Sequence, residues 1–295
     1  MTYLLLSIAA LAVTGQNIFK QKFNDKCKSG TFFFTGMIAI FAMLFFIAIN
    51  RDSYYSAHLI APSAAFALSY ASATFFAVLA IRYGSLAKSC LIISFSLLVP
   101  SFYGILFLHE EISTELILGT ILLIISLILI NYEKEEIPNE GEEQEKTSRK
   151  APLKWYIFVA LAFLGNGMCS TVQKAKQENY GTEGDNLFMI VALAMVAVLM
   201  FVLAFCTREE RTTIRETVRH GFLWAILCGL ANGLTNYLVI LLNLRLPAST
   251  LFPVISSGSL VLSFLYSIFV VREKFSTRQY IGFLIGVISI VLLNL

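Results

Sequence analysis

Charge is what these 295 residues have least of: Asp, Glu, Lys and Arg together make up 14% of the chain, against about 25% in a soluble domain. With 57% hydrophobic residues and a mean hydropathy of +0.75, an ordinary soluble fold is excluded. Apolar runs recur from end to end, each near the roughly 20 residues with which a helix spans a hydrocarbon core. They are continuously apolar rather than alternating, which excludes a transmembrane barrel. Histidine is sparse too. His58, His109 and His220 all fall at run ends, so a serine nucleophile at Gly258-Ser259 would lack a base within reach. Cys27, Cys90, Cys169, Cys206 and Cys228 show no Cys-x-x-Cys spacing, which argues against a metal site or a disulfide framework. None of the 19 Asp and Glu residues lies near the middle of a run. A proton- or cation-exchanging carboxylate at membrane depth is therefore not expected. The net charge of +3 sits in loops and gives no footprint for nucleic acid. No P-loop is present, so neither a cofactor nor nucleotide hydrolysis is expected. The first run starts at Met1 without a basic leader and reads as a retained helix.

What the chain has in place of charge is an internal repeat. Residues 85–131 and 248–294 are two versions of one hairpin: an apolar stretch, a charged turn, then an apolar helix containing glycine. A constant offset of 163 positions pairs Glu110 with Glu273, Ser113 with Ser276, Gly119 with Gly282 and Asn131 with Asn294. Earlier segments match with slightly different offsets. Gly15, Gln21 and Lys22 pair with Gly167, Gln173 and Lys174, and Ala71 and Ser89 pair with Ala231 and Ser249.

We read ten spans, at about 3–22, 31–49, 61–82, 86–108, 114–131, 155–175, 186–206, 219–243, 248–271 and 277–294. The one long connection, 132–154, holds seven Glu, five Lys or Arg and two Pro, too polar to bury a core of its own. It divides the chain into a first repeat (1–131), a hydrophilic linker (132–154) and a second repeat (155–295). Five crossings return the chain to the opposite face, so the second repeat must be inverted. The fold class expected is all-α integral membrane, ten transmembrane helices as two inverted five-helix repeats. Such duplicated bundles carry solutes, with the site between the halves. All but four of the 22 Lys and Arg fall on the side reached by odd-numbered spans. The positive-inside rule then makes the linker cytoplasmic and places both termini outside.

Helix 1 ends in G-x-N-x-x-x-x-K (Gly15, Asn17, Lys22), and span 6 repeats Gly167 and Lys174. Span 9 opens RLPASTLFPVISSGS, and each half closes with an acid–hydroxyl turn, Glu110/Ser113 and Glu273/Ser276. Together these residues resemble the EamA family of the drug/metabolite transporter superfamily, over nearly the whole chain. His109 and Arg272 stand where that pattern has glycine, and Thr14 where it has tryptophan. The resemblance implies ten helices and a central cavity lined by spans 1, 3, 4, 6, 8 and 9. It also implies termini in the cytoplasm, opposite to the charge tally.

Polar groups at membrane depth are costly unless paired or facing a cavity, and here they fall on those six spans. The substrate-cavity candidates are Gln16 and Asn17; Tyr70 and Thr74; Ser94 and Tyr103; Asn166 and Ser170; Asn232, Thr235, Asn236 and Tyr237; and Ser256 and Ser257. Single serines also serve helix packing, whereas carboxamides carry more hydrogen-bonding capacity to satisfy. Lys22 and Lys174, at helix ends, either snorkel to headgroups or guard the cavity mouth. Pro100 and Pro253 each remove an intrahelical hydrogen bond and are candidate bending points. The copies differ where cargo would be read: Asn236 stands opposite Phe76. The function expected is a secondary carrier exporting or exchanging a small polar or amphipathic metabolite by alternating access. Its partners would be that small molecule and the bilayer, with no nucleic acid, in a monomer or homodimer. The location expected is a cell membrane, of the bacterial cytoplasmic kind. The alternatives are a lipid-carrier flippase, a multidrug efflux carrier, or a non-transporting receptor or assembly subunit.

Overall fold

Proline, glycine and one distant carboxylate set where the helices start, and the apolar runs fill the lengths between. The computed structural model describes residues 2–50, 57–109, 114–131, 152–182, 184–272 and 276–293. The turn residues Glu110, Ser113 and Glu273, the linker up to Ala151, and Asn294 lie outside them. Everything regular among the described residues is helical: α1 (Thr2–Lys26), α2 (Thr31–Ile49), α3 (Ile60–Tyr83), α4 (Leu86–Ser94), α5 (Leu98–Phe107), α6 (Thr114–Asn131), α7 (Leu153–Tyr180), α8 (Asp185–Cys206), α9 (Arg208–Asn243), α10 (Ala248–Tyr266) and α11 (Thr277–Leu293). Eight segments among the described residues are long and apolar enough to cross a membrane. They comprise α1, α2, α3, α7, α8 and α9, together with the stretches Lys88–Phe107 and Thr250–Val271. The remaining two, α6 and α11, are shorter, at 18 and 17 residues.

Three boundaries differ from the sequence reading, each for a local reason. The span at 86–108 is not one helix: α4 and α5 are joined by a tight 3-10 turn, Phe95–Leu97. Pro100 cannot donate to the Ser96 carbonyl four residues back, and its ring crowds that carbonyl. Pro253, by contrast, sits in an unbroken α10, which widens instead into a π-turn at Ser267–Val271. The helix begun at 219 in the sequence reading starts at Arg208, because an apolar-run criterion stops where water begins while helical hydrogen bonding continues. The helix ended at 175 likewise continues to Tyr180 and buries Lys176 and Gln177.

The elements pair across the midpoint of the chain: α3 lies antiparallel to α7, α6 to α11 and α1 to α9, whereas α2 runs parallel to α9 and also packs on α8. Phe46, Phe66, Phe188, Met189 and Met200 form the largest buried cluster, between α2, α3 and α8. A second cluster ties α1, α9 and α10 through Leu6, Leu242, Leu251 and Phe252. Large apolar side chains also cover the outside, such as Ile117, Ile121 and Ile128 of α6 and Tyr280, Leu284 and Ile288 of α11. That distribution is that of a surface facing lipid rather than water. The inner faces of α6 and α11 are joined by reciprocal hydrogen bonds. The Ser126 hydroxyl donates to the Gly282 carbonyl at 2.6 Å and the Ser289 hydroxyl to the Gly119 carbonyl at 2.7 Å. The 163-residue offset carries each bond onto the other.

Two polar clusters close helix ends. At the start of α2, Gly30 holds a left-handed conformation (φ 89°) and offers no side-chain cap. The cap comes from Glu210 of α9, whose carboxylate accepts from the backbone N–H of Phe32 (3.1 Å) and Phe33 (3.3 Å). At the start of α8, the buried Asp185 accepts from Lys176 at 2.6 Å and from Gln177 at 2.8 Å. At α11, Ser276 and Gln279 form a capping box. Removing the α2 cap strands buried N–H donors beside a helix dipole. Glu210→Ala is expected to cost about 1–3 kcal/mol, and Glu210→Gln, which keeps an acceptor, clearly less. Thermal melting of the purified full chain checks the order.

Candidate functional site

The polar residues of the six inward spans meet at mid-depth. A cavity of about 130 Å³ lies between α1, α3, α4, α7, α9 and α10. From α1 it takes Val13, Gln16, Asn17 and Lys20, spaced i, i+3, i+4 and i+7 on one helical face. Tyr70 and Thr74 come from α3, and Ile93 and Ser94 from the end of α4. The α7 contribution is Asn166, Cys169, Ser170 and Gln173, and that of α9 is Asn232, Thr235, Asn236 and Val239. Phe252 and Ile255 of α10 close the wall. Among these described wall residues there is no Asp or Glu.

Much of this polarity is spent within the wall. The Asn232 amide donates to Gln16 Oε1 at 2.8 Å, and Gln16 Nε2 donates to Thr235 Oγ1 at 2.9 Å. Thr235 continues to the Ala231 carbonyl (2.9 Å), and the Asn236 amide to Asn232 Oδ1 (3.0 Å). On the opposite wall the Asn166 amide donates to Ser96 Oγ at 2.6 Å. The Gln173 amide reaches across to the Asn236 carbonyl at 3.4 Å. Such a network fixes side-chain rotamers, because every member left unpaired at membrane depth would be costly. The α1–α9 side of the wall carries Gln16, Asn232, Thr235 and Asn236, and the repeat does not reproduce it: the matching positions, Met168, Ser72, Phe75 and Phe76, lie outside the wall, where the α3–α7 side presents Tyr70, Thr74, Asn166, Ser170 and Gln173 instead.

Ten of the fourteen cavity candidates therefore lie in the wall: Gln16, Asn17, Tyr70, Thr74, Ser94, Asn166, Ser170, Asn232, Thr235 and Asn236. The other four do not. Tyr103 stacks on Phe107 at 5.2 Å, and Tyr237 turns edge-on to Phe45 of α2. The Ser256 hydroxyl bonds the Ser94 carbonyl, joining α10 to α4, and Ser257 is buried beside it. These serines and tyrosines sit on the right helices but on faces that pack. Lys22, the motif lysine, is part-exposed and lies 3.9 Å from Asp25, and Lys174 pairs with Glu178 at 3.1 Å. Neither is among the described wall residues, nor is Pro100. The cation that does line the cavity is Lys20, 7% exposed. It belongs to no motif, but the i, i+3, i+4, i+7 spacing from Val13 points to it.

A second, apolar crevice of about 460 Å³ opens sideways between α1, α10 and α11, lined by Leu6, Ala10, Leu11, Val254, Gly258 and Val287. Ser259 is not poised as a nucleophile. Its hydroxyl donates to the Ser256 carbonyl at 2.8 Å, the helix-bending bond that Ser96 makes to Ile93 in the other repeat at 2.5 Å. Among the described residues no group of three or more His, Cys, Asp or Glu could hold a metal ion.

One of the solved crystal structures that match is 14% identical, with a TM-score of 0.67 over 97% of this chain and 98% of that one. At that identity the likeness speaks for the fold alone, over nearly the whole length of both chains. Comparison with curated proteins returns no match. Residues 153–295 match the family model of the EamA-like transporters. That segment, just under half of the chain, supplies α7 to α11 and half of the cavity wall, and through it the chain is similar to the EamA-like transporter family.

Proposed function

We propose that the chain is a secondary carrier, moving a small polar or amphipathic metabolite by alternating access of a mid-membrane cavity between two inverted five-helix halves. The observation that carries this reading is the cavity itself: six elements, three from each half, converge on it with carboxamides at their centre. In that reading α4 with α5 counts as one broken span, α10 with its terminal π-turn as one unbroken span, and α6 and α11 complete ten. Bonds that recur under the offset support a two-fold relation. Besides the serine pair of α6 and α11, Thr14 of α1 bonds the Ser259 carbonyl at 3.3 Å, and Asn166, its counterpart in α7, bonds Ser96 at 2.6 Å. Broken helices beside the site are what alternating-access carriers use to bend.

The Lys and Arg bias favours a cytoplasmic linker. Arg208, Arg211 and Arg215, all exposed on the extension of α9, lie on that same side. Export or exchange across a cell membrane is the direction proposed. A reporter fused at Leu295 resolves the orientation: periplasmic activity supports the tally, cytoplasmic activity the alternative. Counterflow in proteoliposomes tests the function, and no flux across a broad metabolite panel would sink it. Within that assay, Asn232→Leu cuts the chain from Gln16 to Asn236. It is expected to lower exchange at least about tenfold, the equivalent of one charge-free hydrogen bond lost, in protein that still elutes as a monodisperse peak. Unchanged exchange would remove the network from the mechanism. The lateral crevice beside α1 favours one second reading, flipping of a lipid-linked substrate; flux that requires a lipid-linked cargo would select it.

A further inference from the structure

Among the described residues three lysines are buried, and two of them have carboxylates. Lys176 is 2.6 Å from Asp185 and Lys174 is 3.1 Å from Glu178. Lys20 is as buried as these, yet no ion pair or hydrogen bond joins it to any described residue, and its side chain lines the cavity. No acid among the described residues shares that wall. Tyr70 and Asn17 are among the further groups of the described wall that are unspent. The Tyr70 hydroxyl is buried in a residue only 4% exposed and makes no hydrogen bond, Thr74 lying beside it without suitable geometry. The Asn17 amide, three residues before Lys20, also has no hydrogen-bond partner among the described residues. Gln16, Asn166, Asn232 and Asn236, in contrast, satisfy one another or nearby groups.

A buried cation without a counter-charge is costly at membrane depth, and a cavity beside it offers one remedy: the counter-charge arrives with the cargo. We infer that the substrate of this carrier is a small carboxylate or zwitterion, its carboxylate seated on the Lys20 ammonium with Asn17 and Tyr70 completing the polar contacts. A single ammonium balances one negative charge. The wall has no arginine fork and no second lysine, the features that a phosphate dianion would call for. The carboxamide side of the cavity can then read the uncharged remainder of the molecule, and Val13, Val239, Phe252 and Ile255 mark where its apolar part would go. The inference rests on the transporter reading and names the substrate class of that same site.

The test uses the full chain, purified and in liposomes, with matched probes: the protein amino acids against their amides, lactate against lactamide, and inorganic phosphate as a second anion. In counterflow the acids are expected to exchange at least about tenfold faster than the amides. Lys20→Met should abolish that preference and Lys20→Arg should keep part of it. Thermal stabilisation by the same probes is read in parallel, so a chain that binds but does not carry is recognised: acids stabilise the native protein and not Lys20→Met. Absence of flux with that binding pattern intact overturns the transporter reading and leaves the carboxylate site standing. Equal handling of acids and amides, competition by phosphate as strong as by the acids, or no stabilisation by any acid at millimolar concentration overturns the inference. An unaltered preference in Lys20→Met overturns it as well. If Lys20→Met does not fold, Lys20→Gln reads the same contrast. A Lys20 that serves only to carry a proton would show equal acid and amide exchange together with a pH dependence lost in the variant, and that result also counts against the proposal.

Discussion

Gly165→Ala is expected to cost about 3 kcal/mol or more and to remove the folded protein from detergent extracts. A β-carbon built at Gly165 would lie 2.5 Å from the Ala73 backbone nitrogen and 2.8 Å from the Ser69 carbonyl oxygen. No side-chain rotation relieves a clash with backbone; α7 and α3 must move apart. They are the pair that packs most closely, and the Ser72 hydroxyl bonds the Leu161 carbonyl at 3.3 Å next to the contact. In a membrane such close approach is what drives helix association, because lipid offers no hydrophobic gain. The same movement would carry Asn166, Ser170 and Gln173 away from Tyr70 and Thr74 and open the cavity. Gly15→Ala is the control. Although Gly15 belongs to the recurring motif, a β-carbon there meets only the Phe19 ring at 3.5 Å, an ordinary contact. That variant should melt within about 0.5 kcal/mol of the native protein. Equal melting of the two variants would show that the α3–α7 contact does not set the packing.

Lys176→Met is expected to be the most damaging single loss of a charge. Lys176 is fully buried, 2.6 Å from Asp185, and also donates to the Gly181 carbonyl at 3.1 Å. Removing it leaves the Asp185 carboxylate at the start of α8 without its ammonium partner, while Gln177 still donates to it. Breaking a buried pair from one side costs about 3–5 kcal/mol. Replacing both partners by apolar groups, Lys176→Met with Asp185→Leu, should restore most of the loss. The double-mutant cycle, read by thermal melting, separates the two explanations: additive losses would mean that the pair is not coupled.

The helical, apolar character of the chain and the polar character of six of its segments were legible because they depend on composition over long windows, whereas the linker reading at 132–151 falls outside the described residues. Faces were less so. Tyr103, Tyr237, Ser256 and Ser257 are as polar as Tyr70 and Ser94, and only the rotation of each helix against its neighbours decides which look inward. Lys20 was hidden by the motif: the pattern directs attention to Lys22, although helical periodicity from Val13 and Gln16 reaches Lys20 and misses Lys22. The 3-10 break before Pro100 and the absence of one at Pro253 show the limit of reading proline alone. What matters is whether the freed carbonyl sits mid-helix, like Ser96, or in the first turn, like Ser249. The reciprocal serines of α6 and α11 were present in the 163-residue offset but carried no signal as isolated serines in apolar runs.

The cap that Glu210 places on α2 has a consequence for how the chain is made. Cap and helix are separated by 178 residues. At about 5–20 residues per second, α2 leaves the ribosome roughly 10–35 s before its carboxylate exists. Over that interval its first N–H groups must rest on water, lipid headgroups or the insertion machinery. The first half is therefore a substrate for membrane quality control until α9 emerges, and a gene split at the linker should yield functional protein only when both halves are synthesised together.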